Sequence, residues 1–220
     1  MRAFPFDIIA FDLDGTLADT APDISGGINR MLADFGRAQL PEAEIRPLIG
    51  DGARNLLRRV LDATGGSTEA LLDKAHPLYL DHYAAHVCDG TRPFPNVEQA
   101  MDELAALGAR LAVCTNKSTR MTMLLLDALG WTHRFAAIVC GDTLPVFKPD
   151  ARTLQETIRL AGGGRTVLVG DSIIDAGTAR AAGTKFLAVS FGFRDRTVEA
   201  LGADAVIDDY AELIPALRTL

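Results

Sequence analysis

The chain has 220 residues, which is enough for one domain, or a domain with a subdomain, around a large apolar core. Apolar residues make up 48% and charged residues 23%, as in folded water-soluble proteins, and the net charge of −7 argues against nucleic acid or an anionic membrane as the main partner. No run approaches the ~18 apolar residues of a membrane-spanning helix, and no signal-peptide pattern is present, so we expect a cytoplasmic protein.

The first predicted element is a short apolar strand that leads into Phe11-Asp12-Leu13-Asp14-Gly15-Thr16-Leu17. Because side chains alternate along a strand, Asp12 and Asp14 project to the same side. Two neighbouring carboxylates resist joint ionisation unless a cation neutralises them or one of them keeps a proton. The pair therefore indicates a divalent-metal site, or a nucleophile beside a general acid or base, with a plain acidic turn as the alternative.

Helical spacing of apolar residues follows the first strand and continues to residue 87 without any strand pattern. Asp19 and Thr20 are expected to cap the first of these helices, and Pro77 is expected to kink or split the last. We therefore predict an all-helical insertion over residues 18–87. The core domain then comprises residues 1–17 and 88–220.

From residue 97 onward, predicted helices and strands alternate along the chain. Such alternation predicts a doubly wound parallel sheet with helices on both faces, a Rossmann-like α/β fold that also contains the first strand. The later strands are predicted at residues 110–114, 136–140, 166–169, 185–189 and 205–207. Cys114 and Cys140 fall in apolar runs and are expected to be small core residues.

Polar side chains follow several of these strands at the point where each strand ends. In open parallel sheets, functional sites gather beyond the carboxyl ends of the strands. Each residue taken alone has a simpler explanation, such as a helix cap or a solvated lysine, but their joint placement at one edge predicts a single site. The set comprises Asp12, Asp14, Thr115, Asn116, Lys148, Asp171 and Asp175.

The residue types in this set predict phosphoryl transfer. The four carboxylates are hard oxygen donors suited to Mg²⁺, and no cluster of histidines or cysteines offers a zinc site. Lys148, together with Thr115 and nearby backbone N–H groups, can cradle an anion. A metal, a carboxylate nucleophile and an anion cradle are the components of transfer through an aspartyl phosphate, and the absence of a GxxxxGK[ST] loop excludes a P-loop enzyme.

With these motifs the chain resembles the haloacid dehalogenase superfamily of phosphatases over nearly its full length. Asp12-Leu13-Asp14-Gly15-Thr16-Leu17 is similar to the first motif of that superfamily, and Thr115 to the second. Lys148-Pro149 is similar to the third motif, and Gly170-Asp171-Ser172 through Asp175 to the fourth. The order of the motifs and their placement at strand ends agree as well.

The resemblance implies a role for each residue of the set. Asp12 is expected to be the nucleophile, with its other carboxylate oxygen on Mg²⁺. Asp14 is expected to be the general acid and base, with its backbone carbonyl on the metal. Asp171 is expected to bind the metal, and Asp175 to support either the metal or Lys148. The groups expected to hold the phosphoryl oxygens are Thr115, the amide of Asn116, and Lys148.

Within the superfamily the chain is most similar to phosphoglycolate phosphatases, for example in Thr115-Asn116-Lys117 and Gly141-Asp142-Thr143-Leu144-Pro145. This implies a small-molecule phosphate ester as the substrate, first 2-phosphoglycolate, with pyrophosphate and sugar phosphates as alternatives, and a monomer or homodimer. Ile174 and Phe193-Arg194 depart from residues common in that subgroup. The helical insertion resembles the small cap of the superfamily.

Substrate choice is expected to lie in the helical insertion, because the strand-end residues recognise only a phosphoryl group. Its Gly50-Asp51-Gly52 turn opens a helix N-terminus that favours an anion, and Arg54 just inside that helix can reach a small carboxylate. A solvated Arg54 is the alternative.

Two other classes of protein are alternatives to an enzyme. A phospho-aspartate signalling module also places acids, a threonine and a lysine at strand ends, but it carries its phosphate on the middle strand and lacks a helical insertion after the first. A catalytically silent binding protein conflicts with the complete set of motifs.

Overall fold

The computed structural model describes residues 4–193 and 196–220, so that Arg194 lies outside the described residues. The strands are β1 (Ile8–Phe11), β2 (Ala18–Asp19), β3 (Arg92–Pro93), β4 (Arg110–Cys114), β5 (Phe135–Val139), β6 (Thr166–Gly170), β7 (Lys185–Val189) and β8 (Ala205–Ile207). The α-helices are α1 (Ala21–Asp34), α2 (Glu42–Ile45), α3 (Ala53–Ala63), α4 (Glu69–Ala85), α5 (Val97–Ala106), α6 (Thr119–Ala128), α7 (Ala151–Leu160), α8 (Ile173–Ala182) and α9 (Leu213–Leu217). Short 3₁₀ helices occur at Arg46–Leu48, Thr132–Arg134, Val198–Leu201 and Tyr210–Glu212.

Six of the strands form one parallel sheet in the order β5-β4-β1-β6-β7-β8, which confirms the predicted α/β fold. β1 is central, and its last residue, Phe11, lies beside Val113 of β4 and Val169 of β6. All four residues of β1 are buried, as expected for a parallel strand that is covered on both faces. The segments that follow β1, β4 and β6 therefore emerge side by side at one edge of the sheet.

The helical insertion has an apolar core of its own, to which Ile28, Leu57 and Tyr83 contribute. Met121 of α6 also belongs to that core, so the insertion packs against the sheet domain just beyond β4. Where the chain enters and leaves the insertion, β2 and β3 pair as a short antiparallel ribbon. No strand was predicted at Ala18–Asp19, because two residues are too few to display a strand period.

Of the two predicted effects of Pro77, a kink or a split of the last helix of the insertion, the split is wrong, because α4 runs continuously through Pro77. Pro77 is exposed, so its ring and its missing N–H donor face solvent. The packing of Leu72, Ala75 and Tyr79 on the buried side of α4 holds the helix together. Cys114 and Cys140 are buried, as predicted. Within the described ranges, no helix is long and apolar enough to cross a membrane.

Candidate active site

Asp12 follows β1 directly, and its backbone N–H donates to the carbonyl of Val169 at 2.9 Å, which extends the sheet by one residue. The residue is 5% exposed. Lys148 Nζ lies 3.0 Å from Asp12 Oδ1 as an ion pair, but the two groups are not aligned for a hydrogen bond, and Oδ1 has no hydrogen-bond donor. A buried carboxylate oxygen without a donor is costly, which marks this atom as one arranged for an external partner.

Lys148 lies between two acids at the centre of the site. Its Nζ donates to Asp175 Oδ1 at 2.6 Å, and its side chain is 1% exposed. The other oxygen of Asp175 accepts from the backbone N–H of Ser172 at 3.1 Å and from its hydroxyl at 2.6 Å, which forms a capping box at the start of α8. Asp175 thus contacts Lys148 directly, one of the two roles that the sequence left open.

Burial and charge together determine the protonation of this cluster. Burial, together with the negative charges of Asp175 and Asp14, raises the pKa of Asp12 to about 6 against the opposing effect of Lys148. Burial by itself lowers the pKa of the Lys148 ammonium, but the charges of Asp12 and Asp175 outweigh burial, and the net pKa is higher than usual. Burial and the charges of Asp175 and Asp12 raise the pKa of Asp171 well above its usual range.

Asp171 follows β6, and the backbone of two loops packs closely against its side chain. Its Oδ2 accepts from the Phe193 N–H at 2.6 Å and its Oδ1 from the Thr16 hydroxyl at 3.2 Å. A Cβ atom added at Gly192 would come within 2.2 Å of the Asp171 side chain, and one at Gly15 within 2.6 Å. Only glycine therefore allows the two loops to close around this carboxylate.

Three of the four aspartates that were predicted to hold a metal lie close together in the described part of the chain. Asp12, Asp171 and Asp175 each offer one oxygen, and these three oxygens all lie within 4.8 Å of one another. An all-oxygen donor set, in which the pKa values of Asp12 and Asp171 are raised and one oxygen of Asp12 lacks a donor, fits a hard divalent cation, which would neutralise the converging charges. The carboxylate of Asp14 is not part of this group.

Asp14 instead faces the helical insertion. Its Oδ1 accepts from the Thr20 hydroxyl at 2.7 Å, and Lys117 Nζ lies 2.8 and 3.1 Å from its two oxygens. Lys117 Nζ also donates to the Tyr83 hydroxyl of α4 at 2.7 Å. Thr20 begins α1 without a side-chain cap, so its predicted capping role is wrong, because its hydroxyl is directed to Asp14.

The sequence interpretation did not identify Lys117 or Tyr83 as site residues. Lys117 carried a signal, since it lies two positions after Thr115 at the end of β4. Tyr83 carried none, because a tyrosine on the apolar face of an amphipathic helix is ordinarily a core residue.

Asn116 ties three segments of the site together through its side chain. Its Oδ1 accepts from the backbone N–H of Lys148 at 2.8 Å, and its Nδ2 donates to the carbonyls of Lys148 at 3.1 Å and Gly50 at 3.2 Å. Thr115 is buried beside it, and its hydroxyl accepts from the Lys117 N–H at 3.3 Å. The Gly50 loop of the helical insertion is thereby held directly over the end of β4.

A cavity of about 50 Å³ lies between the sheet edge and the helical insertion. Of the predicted site residues, Asp12, Asp14, Thr115, Asn116, Gly50 and Gly52 line it. Asp51 and Arg54 do not. The carboxylate of Asp51 is held by Arg59, and Arg54 Nη2 lies 2.8 Å from both Glu69 and Asp73 with its side chain 43% exposed. The structure thus brings the strand-end residues together around this cavity, whereas Asp51 and Arg54 line a second cavity of about 440 Å³ that shares Gly52 and Asn116 with the first.

A parallel α/β sheet with a helical insertion after its first strand and an aspartate cluster at its carboxyl edge defines a class of phosphoryl-group hydrolases. The family model for haloacid dehalogenase-like hydrolases matches residues 9–189. The chain belongs to this haloacid dehalogenase-like hydrolase family, and its relatives indicate a phosphatase.

The relatives cover nearly the whole chain. A phosphoglycolate phosphatase of Caulobacter vibrioides is 42% identical over 96% of this chain and 91% of its own length. One of Mesorhizobium japonicum is 44% identical over 94% of this chain and 92% of its own length. A crystal structure described as a predicted phosphoglycolate phosphatase from Haemophilus somnus matches with a TM-score of 0.90 and 30% identity, and covers 96% of this chain and 97% of that one.

Proposed function

We propose that this protein is a Mg²⁺-dependent phosphomonoesterase that hydrolyses 2-phosphoglycolate through a phosphoryl group carried on Asp12. The observation that supports the mechanism concerns Asp12, which lines the cavity: its buried Oδ1 has no hydrogen-bond donor, although Lys148 Nζ lies 3.0 Å away. The substrate is supported by the name shared by relatives that are 42% and 44% identical to this chain.

In the first step, one carboxylate oxygen of Asp12 attacks phosphorus and the bond from phosphorus to the ester oxygen breaks. Asp14 gives its proton to the departing oxygen, so that glycolate leaves with a neutral hydroxyl. The hydroxyl of Thr115, the backbone N–H of Asn116 and the ammonium of Lys148 hold the other phosphoryl oxygens and balance the charge that develops on them.

In the second step, Asp14 accepts a proton from water while the water oxygen attacks phosphorus. The bond between phosphorus and the Asp12 oxygen breaks, which releases inorganic phosphate and restores the carboxylate. Asp14 is suited to both steps because it is only partly buried and lies against the helical insertion, outside the group of three carboxylates.

The residues that would hold Mg²⁺ are Asp12, Asp171 and Asp175, with the backbone carbonyl of Asp14 as a further oxygen donor. When bound, the cation neutralises charge on the phosphoryl oxygens and keeps Asp12 ionised at neutral pH. Phe193 and Thr16 keep Asp171 oriented toward this centre through their hydrogen bonds to its two oxygens. Asp175 divides its oxygens between Lys148 and the start of α8.

The size of the cavity favours a short leaving group over a sugar. Its volume of about 50 Å³ leaves room for few atoms beyond the phosphoryl group, and Ile49, Leu56 and Leu80 enclose it. We assign the helical insertion, residues 18–87, the role of a cap that limits the size of the substrate. Sugar phosphates then require the insertion to open further, and pyrophosphate brings more negative charge than the cavity offsets.

The test is a steady-state comparison of 2-phosphoglycolate, pyrophosphate and sugar phosphates in the presence of Mg²⁺, ranked by kcat/KM. We expect the highest kcat/KM for 2-phosphoglycolate. An Asp14→Asn variant mixed with labelled substrate is expected to retain the phosphoryl group on Asp12, detectable as one added phosphate by intact-protein mass spectrometry. A sugar phosphate or pyrophosphate ranking first would overturn the substrate, and labelling of another residue would overturn the mechanism.

A further inference from the structure

Lys117 is the one cation among the residues that line the cavity between the sheet edge and the helical insertion, within the described part of the chain. Neither Lys148, which pairs with Asp12 and Asp175, nor Arg54, which pairs with Glu69 and Asp73, lines this cavity. The Lys117 side chain is 5% exposed, so little solvent screens its charge. Any anionic group of a substrate beyond the phosphoryl group therefore has Lys117 as its available partner in this cavity.

The three N–H bonds of the Lys117 ammonium are directed at known partners. Two point to the oxygens of Asp14, at 2.8 and 3.1 Å, and the third to the Tyr83 hydroxyl at 2.7 Å. Because Lys117 holds both oxygens of Asp14, it can release one of them and donate that N–H to a second carboxylate. Lys148 shows a lysine between two acids in the same site, since its Nζ donates to Asp175 and lies 3.0 Å from Asp12 as an ion pair.

Without the charge of Lys117, the surroundings of this position would disfavour a second carboxylate. Several of the residues that line the same cavity are apolar, among them Ile24, Leu56 and Met121. While Asp14 is ionised, a substrate carboxylate placed there meets a like charge in a setting of low dielectric, where the two repel strongly. An ammonium between the two acids offsets that repulsion.

We infer that Lys117 is the specificity-determining residue for the carboxylate of an α-phosphoryloxy acid, held in place by Tyr83. This inference rests on the proposed function, in which Asp14 faces the ester oxygen. In such an acid a single carbon separates the ester oxygen from the carboxylate, so the carboxylate falls beside Asp14, where Lys117 Nζ lies. Taking one N–H of Lys117 also frees an Asp14 oxygen to face the leaving oxygen.

The experiment measures kcat/KM for three esters that share a two-carbon chain. These are 2-phosphoglycolate, ethyl phosphate, which lacks the carboxylate, and O-phosphoethanolamine, which places an ammonium there. The variants are Lys117→Met and Lys117→Gln, which remove the charge and keep most of the stem. Arg54→Gln tests the competing arginine, and Lys74→Met makes the same chemical change at an exposed position of α4.

In both Lys117 variants the preference for 2-phosphoglycolate over ethyl phosphate is expected to fall by about 10- to 100-fold, the effect of one charged hydrogen bond, mainly through KM. Relative activity on O-phosphoethanolamine is expected to rise, because its ammonium takes the place of Lys117 beside Asp14. The preference is expected to stay unchanged in Lys74→Met and in Arg54→Gln.

Equal losses on all three esters would overturn the inference, since Lys117 would then only position Asp14. A fall in preference in Arg54→Gln, with none in the Lys117 variants, would overturn it in favour of Arg54. A different result would overturn the proposed substrate without overturning this inference. Wild-type enzyme that ignores 2-phosphoglycolate but hydrolyses 2-phospholactate in a manner dependent on Lys117 would remove the proposed substrate and keep the inference.

Discussion

Two regions of the molecule contain the same arrangement of charges, a cation between two acids, in opposite environments. At the sheet edge, Lys148 Nζ lies 3.0 Å from Asp12 and 2.6 Å from Asp175, and its side chain is 1% exposed. On the outer face of the helical insertion, Arg54 lies 2.8 Å from both Glu69 and Asp73, and its side chain is 43% exposed. Pairing alone therefore does not distinguish a site from a surface.

Burial makes the difference. Around Lys148 it raises the pKa of Asp12 to about 6 and leaves an oxygen of that residue without a donor. Around Arg54, the hydrogen bonds from Arg58 and Arg54 lower the pKa of Glu69, as water-exposed ion pairs ordinarily do. A buried charge cluster keeps its interactions unscreened and available to a substrate, whereas solvent weakens those of the exposed cluster.

The largest expected effect is the loss of turnover in Asp12→Asn. The amide is a poor nucleophile and cannot carry the phosphoryl group, so kcat should fall by about three orders of magnitude or more. Phosphate release measures the loss, and a thermal melt without Mg²⁺ is the control. Because Asn needs no proton or counter-ion in that buried position, the midpoint should not fall. Turnover near the wild-type rate would contradict the assigned nucleophile.

Replacement of the buried cation is expected to cost the most stability. Lys148→Met leaves Asp12 and Asp175 facing each other without a partner, and should lower the free energy of unfolding by about 3–5 kcal/mol. Urea denaturation without Mg²⁺ measures this change. A double variant that adds Asp12→Asn should recover part of the loss, because one of the two facing charges is gone. A free energy of unfolding equal to that of the wild type in Lys148→Met would mean that Lys148 does not stabilise the cluster.

Binding of Mg²⁺ should stabilise the protein more at pH 7.5 than at pH 5. The pKa of Asp12 is raised from 3.8 to about 6 on folding, so its contribution to stability without metal is present at low pH and is lost as the pH rises through about 6. The raised pKa of Asp171 acts in the same direction.

A bound cation offsets this loss only where the carboxyls are ionised. The difference between the two pH values is of the order of 1–3 kcal/mol. Melting curves with and without Mg²⁺ at both pH values measure it, and Asp171→Asn is the control expected to reduce the difference. A larger Mg²⁺ effect at pH 5 would contradict the assignment of these carboxyls to the metal centre.

The smallest effect is expected in Arg54→Gln, which breaks the matching pair of contacts on the outer face. Because solvent screens both contacts, the urea midpoint should stay within the error of the measurement, in contrast to Lys148→Met. High salt should not change the difference in urea midpoint between this variant and the wild type. A loss of stability comparable to that of Lys148→Met would remove the distinction between the two regions.

The strand-end residues were predictable from the sequence because their positions follow from chain order and strand period. Asp12, Thr115 and Asp171 each come directly after an apolar strand, and neighbouring parallel strands bring their carboxyl ends together. The α/β alternation predicted the sheet, and the predicted bounds of β4, β7 and β8 agree with the structure. Local period and order suffice for such features.

Contacts between the helical insertion and the sheet edge were decided by the tertiary structure. The bond from Lys117 to Tyr83 joins residues 34 positions apart, and no period along the chain records which residue of α4 faces β4. Thr20 was expected to cap a helix and instead donates to Asp14, while Arg54 turns to Glu69 and Asp73. Sequence determined which side chains the strand ends present, and packing of the insertion determined which of them a ligand would meet, because burial depends on the neighbours that folding brings together.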